Sequence, residues 1–136
     1  MKELLIGDSA MIKVVATDEI VRKIANVSGD DNPVHLDDHY AEQTIFKKRI
    51  AHGLFLLNGI SKLLGTVLPG EGTILISQSF NYKLPVYIDD CIEIKVCVKD
   101  IKRAKNIYIM DTVCTNQNEK VVLEGESIVK WEKHKS

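Results

Sequence analysis

Residues 53–67 read GLFLLNGISKLLGTV, and only Asn58, Ser61, Lys62 and Thr66 among them are polar. A helix this apolar around its circumference has to be buried. Gly53, Gly59 and Gly65 lower its intrinsic propensity, a sacrifice that makes sense where another backbone packs close. Leu68-Pro69-Gly70-Glu71-Gly72 then stops it. Beyond Gly72 the hydrophobic period changes from helical to two. Ile92, Ile94, Val96 and Val98 alternate with Glu93, Lys95, Cys97 and Lys99, the pattern of a half-buried strand. Ile107, Ile109 and Val113 alternate in NIYIMDTVC, and Val121, Leu123, Val129 and Trp131 in VVLEGESIVKW. With residues 73–84 these predict four long strands in succession, joined by hairpin-type connections at 102–105 and 116–119 and therefore largely antiparallel.

Upstream of the helix, residues 11–16 (MIKVVA) are β-prone. Thr17-Asp18-Glu19 supplies a cap and early negative charge for a helix to about Ser28, with Ile20, Val21, Ile24 and Val27 on one face and Gly29 able to end it. Asp37–Gln43 can form a short helix, and Lys47-Lys48-Arg49 reads as a charged turn. One strand, a buried glycine-bearing helix and four antiparallel strands make an α+β layout in which the sheet curls around the helix, the hot-dog arrangement. A single copy leaves a sheet edge and a broad face uncovered, so a homodimer or higher homo-oligomer is expected.

The 136 residues fit one domain, taken as 1–136, that hides roughly 65–70% of its unfolded surface. Apolar residues at 45%, charged residues at 27% and a net charge of −1 without a basic cluster argue against disorder and against a nucleic-acid partner. The amino terminus lacks a signal-type run and no segment reaches the ~20 apolar residues of a membrane span, so a cytoplasmic, membrane-free protein is expected. Cys91, Cys97 and Cys114 are odd in number and show no CxxC spacing, which favours buried reduced thiols.

Two short stretches carry chemistry. In SGDDNPVH (Ser28–His35), Pro33 fixes its own φ and pushes Asn32 towards extended backbone, so the segment leaves the preceding helix as a rigid overhang. Asp30 and His35 can then face one pocket at a separation a water bridges, and a carboxylate with an imidazole is a general acid–base pair. Asp30, Asp31 and Asn32 are equally ordinary turn formers. A calcium loop fails after Asn32, and His35 with His39 lacks the further ligands zinc needs, so no metal is expected. In Ala51-His52-Gly53, the free N–H groups at the start of the buried helix can hold a developing oxyanion, and Gly53 admits a close approach. His52 is read as a packing or hydrogen-bonding residue.

Gly29-Asp30-x-Asn32-Pro33-Val34-His35, with Ala41 beyond it, resembles the signature of the MaoC-like, R-specific enoyl-CoA hydratases (the hydratase-2 group). Ala51-His52-Gly53, Gln78–Val86 and Asp89-Asp90 resemble that family's next segments, and the likeness spans about residues 11–131. One departure is Ile24, where the family often has an aromatic residue, a change that bears on local packing. The resemblance implies reversible syn addition of water to a trans-2-enoyl-CoA, giving an R-3-hydroxyacyl-CoA in fatty-acid metabolism, without metal or redox cofactor. It implies that Asp30 and His35 are the catalytic pair, with Asp30 favoured for activating water, and that the Gly53 amide polarises the thioester carbonyl. Asn32 braces the overhang, and Asp31, Asp37 and Asp38 are bystanders. A hot-dog thioesterase and a non-catalytic acyl-CoA binding module are the competing readings. Leu54, Leu57, Leu64 and Leu68 are candidates for an acyl tunnel, and Lys47, Lys48 and Arg49 for CoA phosphates.

Overall fold

A computed structural model of the chain describes residues 3–132. Strand β1 (Ser9–Val15) is followed by helix α1 (Asp18–Ser28), the one-turn helix α2 (Pro33–Leu36), the short α3 (Asp38–Glu42) and the long α4 (Gly53–Thr66). Strands β2 (Ile74–Tyr82), β3 (Cys91–Lys102), β4 (Ile107–Thr115) and β5 (Val121–Lys130) complete it. All five strands form one sheet in the order β1-β3-β4-β5-β2, antiparallel throughout. The expected hairpins are present, while β2 crosses to the far edge to pair with β5. This is the hot-dog fold.

α4 lies on the concave face, where Phe55, Leu56, Ile60, Leu63 and Leu64 meet Ile92, Ile94, Val96 and Val98 of β3 in the core. Each large side chain so buried contributes about 1.5–3 kcal/mol of transfer free energy. Glycine makes the close approach possible at Gly59, where a Cβ would stand 2.3 Å from Ile94 Cδ1. The neighbour there is a side chain rather than a backbone. Gly65 has nothing within 4 Å, so close packing does not account for it.

Burial departs from the sequence pattern in several places. α4 is covered on one side only, and Leu54 and Val67 are exposed. Val27 of α1, expected with Ile20, Val21 and Ile24, is 89% exposed, while Ala25 beside Val21 is buried. On β4 the period is two but the phase is reversed: Tyr108, Met110, Thr112 and Cys114 face the core, and Ile107, Ile109 and Val113 lie half-buried on the other face. Cys114 alone of the three cysteines is fully buried, and burial pushes its thiol up to about 12; Cys91 and Cys97 are half-buried, and all three are free.

Candidate active site

α1 delivers the chain to the site through a well-defined stop. Thr17 Oγ1 accepts from Ile20 N–H at the start. At the end Gly29 takes the left-handed conformation (φ 77°) that frees the chain to turn, and its N–H returns to Ala25. The next polar groups serve as local braces. Ser28 Oγ accepts from Asp30 N–H at 3.0 Å, and Asp30 Oδ1 from Asn32 N–H at 3.2 Å. Asn32 Oδ1 in turn accepts from Val34 N–H at 3.3 Å, capping α2 with Pro33 in its first turn. The rigid overhang expected from the sequence thus holds a turn of helix, because Asn32 and Pro33 together form a helix start. Asp37 caps α3 through Tyr40 N–H, and Asp31 and Asp38 are exposed.

α2 presents His35, which is buried and whose Nδ1–H donates to the Ile50 carbonyl at 2.7 Å. That bond fixes the tautomer and leaves the Nε2 lone pair as the free site of the neutral ring. Desolvation is the main cause lowering the His35 pKa from its ordinary value; the nearby His52 adds to it, and the Ile50 carbonyl and the Asp30 charge oppose it. The net direction keeps the ring neutral near pH 7.

His52, 2% exposed, stacks on His35 with centroids 3.9 Å apart, and its Nε2–H donates to the Asp30 carbonyl at 2.9 Å. It therefore packs and hydrogen-bonds, as read from the sequence. Its Nδ1 has no partner among the described residues. Ligand-type atoms of Asp30, His35 and His52 lie within 4.8 Å of one another. Two hydrogen bonds through one water span that distance. The same three residues are the described group able to offer atoms to a metal ion; His39, on α3, is exposed and apart from them.

Gly53 is the first residue of α4, and His52 before it has φ −62° and ψ 150° with no side-chain cap. The first N–H groups of a helix lack intrahelical acceptors and sit at the positive end of its dipole. Tyr82 covers this end: a Cβ on Gly53 would lie 3.0 Å from its hydroxyl oxygen. Burial pushes the Tyr82 pKa up, so the phenol stays protonated. His35, His52, Gly53, Tyr82 and Phe46 line one cavity of about 410 Å³. No one of the cavities described holds all four of the suggested tunnel leucines. Leu54 and Leu57 line a groove beside α1, Leu57 and Leu64 a recess of about 100 Å³ with Ser61, and Leu68 belongs to the core.

Arg49 is the largest departure from the sequence reading. Expected on a charged turn, it is 8% exposed, with Nε–H donating to the His35 carbonyl at 2.8 Å and an Nη2–H to Asp18. It is thereby unavailable to phosphates. A long cationic side chain carries no mark in sequence of whether its guanidinium is buried.

A sheet packed on a central helix, with a carboxylate and two stacked imidazoles gathered at that helix's start, defines a hot-dog protein with a candidate site there. Residues 9–120 match the family described as MaoC like domain, and the chain belongs to that family. It is 40% identical over 129 residues to a 3-hydroxybutyryl-CoA dehydratase of Methylorubrum extorquens, covering 95% of this chain and 82% of that one. Identity to an (R)-specific enoyl-CoA hydratase of Rhodospirillum rubrum is also 40%, over 90% of this chain and 85% of the relative. The solved (R)-hydratase from A. caviae superposes with a TM-score of 0.93 at 34% identity, over 97% of this chain and all (100%) of that one.

Proposed function

We propose that this protein is an (R)-specific enoyl-CoA hydratase, equally a 3-hydroxyacyl-CoA dehydratase, a hydro-lyase that adds water reversibly across a trans-2-enoyl thioester. The reading is supported by the nearness of Asp30 to His35 and His52, whose ligand-type atoms lie within 4.8 Å of one another, beside a cavity that His35, His52 and Gly53 line. A water between Asp30 and His35 donates one hydrogen to each, which turns an oxygen lone pair towards C3. Asp30 activates the water. As the C3–O bond forms, the C2=C3 π electrons shift and charge builds on the thioester oxygen, where the Gly53 N–H stabilises it. The acquired proton passes from the Asp30–His35 pair to C2 on the face that received oxygen, so the addition is syn. Asn32 holds the overhang in shape, and no step calls for a metal or redox group.

The test is hydration of crotonyl-CoA, followed as loss of enoyl absorbance. Asp30→Asn and His35→Gln should each lower kcat by about 10²–10⁴-fold with the fold intact. Wild-type rates in both would reject the pair. Release of free CoA thiol instead of hydration would identify a thioesterase, and tight binding without turnover a binding module.

As a single cytoplasmic domain, the enzyme works as a homodimer. Free cysteines suit a reducing compartment. β2 forms a sheet edge that exposes Ile74, Leu75 and Ile76, an apolar strand of the kind a second copy covers. A monomeric mass by light scattering would reject the dimer.

A further inference from the structure

We propose that Arg49 is a positioning residue for His35, holding that residue's backbone from a buried seat while its neighbour Ile50 holds the ring; the proposal rests on the catalytic assignment of His35 above. Burying a guanidinium is costly unless its donors are met by fixed acceptors. Here the acceptors are the His35 carbonyl and the Asp18 carboxylate.

The need for such a residue follows from the brevity of α2. Four residues cannot close a self-sustaining helix, and the carbonyls at its end have no intrahelical donors. Two arginines supply them. Arg49 takes the His35 carbonyl at 2.8 Å, and Arg22 Nη2–H donates to the Leu36 carbonyl at 3.3 Å. Both guanidinia also meet Asp18, in the first turn of α1, whose pKa they hold below its ordinary value, Arg49 being the larger cause.

The segment carrying Arg49 is itself tied down. Ile50 pairs with Tyr87 as an isolated bridge, and Ala51 N–H donates to the Val86 carbonyl at 2.7 Å. Ile50 N–H also donates to the Val34 carbonyl at 3.2 Å, and the Ile50 carbonyl accepts the His35 Nδ1–H. Arg49 and Ile50 therefore grip the ring and the main chain of His35 from one rigid stretch that continues into Gly53. The distance between the imidazole and the oxyanion donor is set there. Lysine cannot reproduce this grip, because a point charge lacks the planar fork that reaches two acceptors in fixed directions.

Arg49→Lys is measured in crotonyl-CoA hydration with thermal melting and ¹⁵N NMR of the imidazoles. Misplacing a reacting group by an ångström costs on the order of 10²-fold, so kcat should fall roughly 10- to 100-fold while KM changes little. The His35 signal should lose its single Nδ1–H tautomer. Asp18→Asn, which leaves the His35 carbonyl bond in place, should lose several-fold in kcat, and the double variant should lose no more than Arg49→Lys alone. A folded Arg49→Lys protein with wild-type kcat and an unchanged His35 signal overturns the proposal, as does one that only melts earlier. Where Arg49→Lys does not fold, Asp18→Asn decides: lower kcat at unchanged KM supports the role, and wild-type kcat overturns it. An inactive wild type would instead sink the hydratase reading, and the imidazole signal would still test Arg49.

Discussion

The oxyanion role of a backbone N–H is hard to probe, because side-chain substitution leaves the donor in place; Gly53→Pro removes it. Three local features make proline acceptable at that position. Gly53 is the first residue of α4, where proline's missing N–H breaks no helix bond and its fixed φ matches the helix. The preceding residue must be extended, and His52 already is, at φ −62° and ψ 150°. The remaining cost is steric, since a new Cβ meets the Tyr82 ring and hydroxyl at 3.0–3.1 Å, and that exposed side chain has to move a few tenths of an ångström. Gly53→Ala carries the same Cβ and keeps the N–H, so it isolates the donor. One oxyanion donor is worth about 2.7–4 kcal/mol, or roughly 10²–10³ in kcat. The ratio of Gly53→Ala to Gly53→Pro in crotonyl-CoA hydration should fall in that range, with both melting near wild type. Equal kcat in two folded variants would refute the assignment of the Gly53 amide.

The lowered His35 pKa has consequences in pH. Because the folded state resists protonation more than the unfolded chain, this histidine's contribution is fully present above its ordinary value of 6.5 and is lost as pH falls through the lower folded value. kcat/KM and melting temperature should both decline on acidification below about 6.5, and His35→Gln should flatten the stability component of that decline. On β5, a Cβ at Gly125 would lie 1.9 Å from the Ser79 carbonyl oxygen, a contact with backbone that no rotamer relieves. Gly125→Ala should cost at least the 1–3 kcal/mol typical of overpacking, roughly, read as a lower midpoint in urea; an unchanged midpoint would contradict the close approach of β2 to β5.

Elements whose cause is local were legible in the sequence. Thr17, Gly29 and Pro33 act on their own neighbours, and α1 and the overhang start and stop where those residues place them. The apolar run at 53–67 announced the central helix, and the Asp30–His35 spacing announced a carboxylate and an imidazole whose ligand-type atoms lie within 4.8 Å of each other. What depended on distant partners was not legible. Ile107, Ile109 and Val113 on one face of β4 are matched in number by Tyr108, Met110 and Cys114 on the other, and register with β3 and β5 turns these three and Thr112 inwards. Periodicity gives the spacing of a strand's faces, while the phase is decided across the sheet. Arg49 was misread for a similar reason: its role is defined by a carbonyl on α2 and a carboxylate on α1, and a run of three cations says nothing about either.

α2, one turn capped by Asn32 and held by arginines, separates the durability of the site from that of the fold. A helix so short has no order of its own to contribute, so the alignment of His35 is lent to it by α1 and by the stretch from Arg49 to Ala51. The sheet, joined by four antiparallel ladders, needs none of those contacts. Local opening of the overhang would leave those four ladders in place. The alignment of this imidazole thus rests on a few hydrogen bonds of α2, and the sheet on four ladders that do not include them.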